Sequence, residues 1–308
     1  MKFADALAQS LLRTALFAET HSIKGVLAAD RLAKRCQGLP ASFFGDSVAL
    51  FQVLSSPRVS GPLRGHIVWD EPLDDGRIEG TIGRAVFPLA YEAASLWVER
   101  RGLSDLVMRY RRRAVARISH LGHAWTIWCS FCEVLTHLPS RADQLLCAER
   151  FVELVAAQLS HNDPSRPGPD EEVLDGPPAN GVATLDAALH QPGFFGHTLT
   201  TLGYLYRHRD KLDEAEWRWA IARVDSMAAH AGGADGAAIA TPAPDASASA
   251  SDADVEAAAV RLVLEGPREV HAITLADSAF DLAAVATPRQ KAHLVAVLGA
   301  VTRWDPAR

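Results

Sequence analysis

Apolar side chains return every three or four positions along almost the whole of this chain, and that spacing limits its fold more than any other feature. It runs through residues 3–19, 22–36, 84–118, 121–137, 141–160, 197–209, 212–230, 253–265, 268–286 and 288–303. A helix turns once in about 3.6 residues, so this spacing lines one face of each segment with apolar groups. It predicts an all-α protein. Strand-like alternation is weak and confined to 64–70 and 76–83, where a short hairpin or an irregular loop fits equally. Thr287 before Pro288 marks the start of the last helix, because proline suits the first helical position and lacks only an N–H that would be unbonded there.

Two stretches break the periodicity. Residues 161–196 are rich in Pro, Gly and Asp and read as a long surface excursion that returns to the core at Phe194 and Phe195. Residues 231–252 lack the large apolar groups needed to offset the entropy of ordering, and read as a mobile connection. Neither separates the histidine-bearing helices into independent sets. The expectation is a single helical domain over 1–308, bundle-like, with long irregular loops.

Of the 308 residues 48% are hydrophobic, enough for a sizeable core, and the formal net charge is −6. Mild acidity argues against a binder of nucleic-acid backbones. The basic run at 108–117, with Arg109, Arg111, Arg112, Arg113 and Arg117, reads as a solvated helix face, or as a basic mouth for an anionic ligand. Four cysteines at irregular spacing do not make a disulfide framework, which suggests a reducing, cytoplasmic setting. Cys129 and Cys132 form a lone CxxC inside an apolar helical run, where packing is the better reading. The amino-terminal segment reads as an amphipathic helix rather than a signal peptide, and no segment has the roughly 18 uncharged apolar residues of a membrane span. There is no phosphate loop, dinucleotide fingerprint or nucleophile elbow.

The chemistry-bearing feature is a repeated helix opening. His123-Ala-Trp-Thr, His197-Thr-Leu-Thr and His271-Ala-Ile-Thr share a histidine, a small residue, a large apolar residue and Thr, and His21-Ser-Ile-Lys has the same shape with Lys24 in fourth place. Residues three apart share a helical face, so four such helices can aim four imidazoles at one centre. Imidazole serves iron, copper, zinc and nickel, and bundle cores host metals through facing side chains. The plainer reading is a set of packed, hydrogen-bonded histidines.

In order along the chain, HSIKGVLAADRLAKR, ISHLGHAWTIWCSFCEVL, FFGHTLTTLGYLYRH and VHAITLADSAF resemble the questin oxidase-like family, with HLG at 120–122 and HAI at 271–273 the most distinctive. The resemblance implies a helical oxygenase of aromatic, polyketide-like compounds, with non-haem iron (Fe2+) held by histidines and a carboxylated lysine, and molecular oxygen as co-substrate. It assigns His21, His120, His197 and His271 as ligands. The repeat instead selects His123, one turn beyond His120, and His123 is placed behind the ligand or as its substitute. Thr274 stands where the family pattern has a lysine, and Lys24 is the lysine that remains available. Four neutral imidazoles leave a buried divalent charge uncompensated. Asp277, Glu133 or carboxylated Lys24 are the candidate anions, and His123 and Asp277 the candidate catalytic groups.

The leading expectation is therefore an iron-dependent oxygenase with a small aromatic substrate and neither nucleic-acid nor membrane partners, its oligomeric state open. Two alternatives remain: a metal-free helical protein that binds a ligand or partner, and a cofactor-free oxygenase using a histidine base.

Overall fold

The computed structural model describes residues 1–13, 21–54, 73–119, 121–138, 140–160, 181–231, 245 and 247–304. Every regular element among them is helical. The α-helices are α1 (Phe3–Arg13), α2 (His21–Arg35), α3 (Phe43–Leu54), α4 (Asp75–Gly83), α5 (Leu89–Arg100), α6 (Leu103–Arg109), α7 (Arg111–Ala116) and α8 (His123–Val134). They continue with α9 (Arg141–Leu154), α10 (Gly181–His190), α11 (His197–Arg207), α12 (Glu214–Ala231), α13 (Asp252–Glu265), α14 (Val270–Ala283) and α15 (Pro288–Thr302). No helix among the described residues is long and apolar enough to cross a membrane.

Four of these helices form the centre. α2 packs on α8, α8 on α11, α11 on α14 and α14 on α2, which closes a ring. Their facing surfaces are small where the backbones approach: a Cβ on Gly203 of α11 would lie 2.6 Å from the Cβ of Ser278 on α14 and 3.0 Å from its carbonyl oxygen. All four helices start at the end that carries their histidine, and the four histidines meet. Ten residues further on, Arg31, Glu133, Arg207 and Asp281 meet as well. Contact at both levels requires the four helices to run in the same direction. Antiparallel neighbours in a bundle need only short loops, but parallel ones need crossovers. Here α3–α7, α9–α10 and α12–α13 make the returns and cover the outside of the ring.

Local signals account for the helix boundaries. Thr287 and Gln290 form a reciprocal capping box with Pro288 in the first turn of α15, and Ser251 with Asp254 does the same for α13. Residues 76–83, expected as a weak strand or loop, are helical instead: Asp74 caps α4 by accepting from the Arg77 amide, and Ile78 and Ile82, four apart, are buried on one face. Residues 181–190 of the expected surface excursion are also helix, because Leu185 and Leu189 recur at helical spacing and are buried. Residues 161–180, and 232–244 of the expected mobile connection, lie outside the described residues, as does the strand-like stretch 64–70. The helical spacing over 84–118 is realised as three helices, α5, α6 and α7, with Gly102 at φ 89 preceding α6. Helix α3 has no counterpart in the spacing analysis.

The basic run proves to be a paired surface. Arg109 bonds Glu79 (2.5 Å) and Arg111 bonds Glu216 (2.9 Å), with Arg112 3.7 Å from Glu216. Cys129 and Cys132 are free thiols inside α8, and burial raises both, Cys132 to about 12. Reactive thiolates need the opposite shift.

Candidate metal centre

The four histidines come together through their Nε2 atoms. His271 Nε2 lies 3.2 Å from His21 Nε2, His21 Nε2 lies 3.2 Å from His123 Nε2, and His123 Nε2 lies 3.2 Å from His197 Nε2. Donor atoms of His21, His123 and His271 all lie within 4.8 Å of one another. His123 and His197 are buried, and His21 and His271 are half-buried.

Local backbone chemistry delivers each ring. Glycines in the left-handed region precede two of the histidines: Gly122 at φ 60 and Gly196 at φ 73. A side chain at Gly122 would be strained and would also put a Cβ 1.8 Å from Thr201 Oγ1. These glycines let the chain enter α8 and α11 sharply, with the histidine as the first helical residue.

The outer nitrogens of two rings are fixed. His197 Nδ1 donates to the Phe194 carbonyl and His271 Nδ1 donates to the Glu269 carboxylate. A proton on Nδ1 of a neutral imidazole leaves Nε2 as a lone-pair acceptor. His271 Nε2 then needs a donor from His21, and His197 Nε2 needs a donor from His123. Those two donors face each other in the remaining 3.2 Å contact. No assignment of protons on neutral rings satisfies all three contacts. Adding a proton to His197 is opposed by burial above all and then by His271 and Lys24, which together hold its pKa well below the ordinary 6.5 despite the bond to the Phe194 carbonyl.

A cation removes the conflict, because all four Nε2 atoms can then offer lone pairs. Metal–imidazole bonds of about 2.0–2.1 Å put neighbouring ligand nitrogens about 2.9 Å apart at right angles and about 3.4 Å apart in a tetrahedron. The observed 3.2 Å lies between these values. The mutually close donors of His21, His123 and His271 therefore fit a transition metal, with His197 Nε2 adjoining them through His123, and the Glu269–His271 contact is the carboxylate–histidine arrangement that orients a ligand ring.

Aromatic rings flank the layer. Phe194 stacks on His197 (6.1 Å, 12°), Phe195 stacks on His271 (5.5 Å, 23°), and Trp304 stands edge-on to both phenylalanines. Phe195 has φ 49, a strained value for a side-chain-bearing residue, and Phe194 is exposed. Beside Glu269 a cavity of about 460 Å³ opens between α3 and the α13–α14 turn, lined by Phe43, Leu50, Val263, Leu264 and Ile273.

The expected site residues are distributed as follows. His21, His197 and His271 are in the layer. His123, expected to stand behind its ligand or replace it, is in the layer itself. His120 lies outside the described residues. Lys24 is buried one turn after His21 and acts electrostatically on His197.

Asp277 and Glu133, proposed from sequence as counter-anions or a catalytic acid, belong instead to the second polar layer. Ten residues at 1.5 Å rise put Glu133 about 15 Å down the bundle from His123. Asp277 is fully buried and pairs with Arg31 Nη2 (2.6 Å) and Arg207 Nη2 (2.8 Å). Arg31 also bonds Glu133, Arg207 also bonds Asp281, and His208 lies 2.9 Å from Glu133. Charges thus alternate around the ring of helices. The ten-residue offset from each histidine was present in the sequence, but charged residues are common on helices and only the shared depth gives the spacing meaning.

Burial disfavours ionised Glu133, but Arg31, the bond with His208 and Arg207 outweigh it and hold the carboxyl at about 2, below the ordinary 4.5. A depressed carboxyl pKa adds stability above the unfolded value and loses it as pH falls through the folded one. The unfolding midpoint of the protein should therefore drop between pH 4.5 and about 2, and Glu133→Gln should flatten that part of the profile. A variant with an unchanged acid profile would show that Glu133 is not held this way.

Comparison with protein-family models, with curated proteins and with solved structures gives no match.

Proposed function

We propose that this chain is a metal-dependent oxygenase whose centre, non-haem iron held by His21, His123, His197 and His271, acts on a small aromatic substrate with molecular oxygen. The observation that carries the reading is the set of Nε2 contacts at 3.2 Å that no arrangement of protons on neutral rings can satisfy. The order of the histidine-bearing segments, similar to that of the questin oxidase-like family, supports iron over other metals that accept imidazole.

Bound iron would supply oxygen activation, and the protein's own groups do the rest. Four helix N-termini point at the layer, and their partial positive charge favours an anionic guest over a neutral one. An acidic phenol, bound as phenolate, suits that field. So does carboxylated Lys24, in which neutral amine and carbon dioxide join with release of a proton, replacing a buried positive charge with a negative one. Phe194, Phe195 and Trp304 offer faces and edges to an aromatic ring. The cavity beside Glu269 falls within the range of small-molecule sites, about 300–1,000 Å³. Glu269 holds the His271 ring in orientation and can respond to a ligand in that cavity.

Elemental analysis of protein purified without an affinity tag should find close to one iron per chain, and oxygen uptake should require an added phenolic polycyclic compound. Oxygen uptake without metal would favour a histidine base acting alone. Neither metal nor uptake would leave a ligand- or partner-binding protein.

A further inference from the structure

The cavity between α3 and the α13–α14 turn stands apart from the histidine layer. None of the four histidines lines it, nor do Phe194, Phe195 or Trp304. Its link to the layer is Glu269, which lines the cavity and bonds His271 Nδ1, the nitrogen opposite the one that meets His21. Glu269 is the N-cap residue of α14, a place where a side-chain oxygen commonly accepts from the amides of the first turn. Its carboxylate makes no such bond. Oε1 holds the His271 ring, and Oε2 has no hydrogen bond among the described residues.

The walls select the guest. Phe43 and Ile273 are buried, Leu50 and Val263 are half-buried, and Leu264 is exposed, so the surface offered is mainly apolar. Ser47 is buried there too, but its hydroxyl already donates to the Phe43 carbonyl at 2.8 Å. Of the three charged groups, Asp46 and Arg268 are exposed and opposite in sign, so in water they largely offset one another. Glu269, with a side chain only 29% exposed, therefore sets the sign of the interior. Arg268, its neighbour in the chain, forms no ion pair with it, and an imidazole that serves a metal is neutral. A half-buried negative charge without an opposite charge favours a cationic guest.

We propose that this cavity binds a primary ammonium on an apolar body, with the ammonium on Glu269 and the body against Phe43, Leu50 and Ile273, and that its occupancy weakens metal binding at the four-histidine centre. The second part rests on the metal reading of that centre; the first does not. Metal on Nε2 makes the His271 Nδ1–H a stronger donor to Glu269, and an ammonium on the same carboxylate draws on the same charge. Linkage makes the antagonism mutual: whatever factor the amine takes from the metal affinity, the metal takes from the amine.

The test titrates the full chain, by calorimetry at neutral pH, with phenethylamine, phenethyl alcohol and hydrocinnamate, which share an aryl body and differ in charge. The amine should bind once per chain and about ten-fold more tightly than the alcohol, the worth of one charge-assisted bond, with the anion weakest. Glu269→Gln should remove the amine's advantage and keep the alcohol's affinity, which also shows that the cavity is intact. Leu50→Trp should fill the cavity and abolish binding of both, with circular dichroism confirming the helices, while Arg268→Ala should preserve the preference. Ferrous iron added without oxygen should bind several-fold more weakly when the amine is saturating, and the reverse titration should give the same factor. An amine no tighter than the alcohol, or a preference that survives Glu269→Gln or Leu50→Trp, would overturn the site. Iron and amine that bind with no mutual effect would overturn the coupling. A chain that takes up no iron yet keeps a Glu269-dependent preference for the amine would sink the metal reading and leave the site standing.

Discussion

His123→Ala should take the iron content of the protein from close to one per chain to near zero, and His21→Ala, His197→Ala and His271→Ala should do the same. The four positions are expected to behave alike because their Nε2 atoms form one chain of 3.2 Å contacts. Each substitution removes one ligand bond, and the neutral rings that remain bring no charge to offset a divalent ion in a buried setting. His230→Ala is the control: it is exposed on α12, bonded to its own helix at the Ser226 carbonyl, and should leave the metal in place. Iron retained in full by any one of the four variants would remove that residue from the centre. Retention by all four would end the metal reading. His123 is the most informative of the set, because the family-like HLG block selects His120 instead.

Asp277→Ala should cost about 3–5 kcal/mol of folding stability, the range for breaking a buried ion pair by removing one partner. Asp277 is fully buried and neutralises both Arg31 and Arg207, so its loss leaves two guanidiniums short of charge at the middle of the bundle. Arg109→Ala, which breaks the exposed pair with Glu79, should cost no more than about 1 kcal/mol. Denaturant midpoints measure both. Iron content separates a structural Asp277 from a catalytic or liganding one: the variant should keep its metal while losing stability. Undiminished stability with lost metal or lost oxygen uptake would return Asp277 to the chemistry.

The two polar layers differ in how visible they were. The histidines stand at or beside the first residue of their helices, each followed by a small residue, a large apolar one and then Thr or Lys, and that pattern can be read along the chain. The layer of Arg31, Glu133, Arg207, Asp277 and Asp281 cannot, because its members look like ordinary surface charges until the helices are placed side by side. Glu269 was equally hidden: its role depends on reaching the outer nitrogen of a ring two residues away. Helix α10 was lost within a Pro- and Gly-rich stretch, since ten residues with two buried leucines give a weak periodic signal beside so many turn formers.

Helix formation and its polarity were written in the sequence, because apolar spacing, capping residues and left-handed glycines act on neighbours within a few positions. Which histidines share a centre was decided only by tertiary structure. Parallel packing of four helices separated by long crossovers is a matter of long-range contact, and it alone sets the depth at which imidazoles meet imidazoles and acids meet guanidiniums. The same packing placed His123 in the layer and gave Asp277 to two arginines, since a side chain's partner depends on the helix opposite and not on the residue beside it.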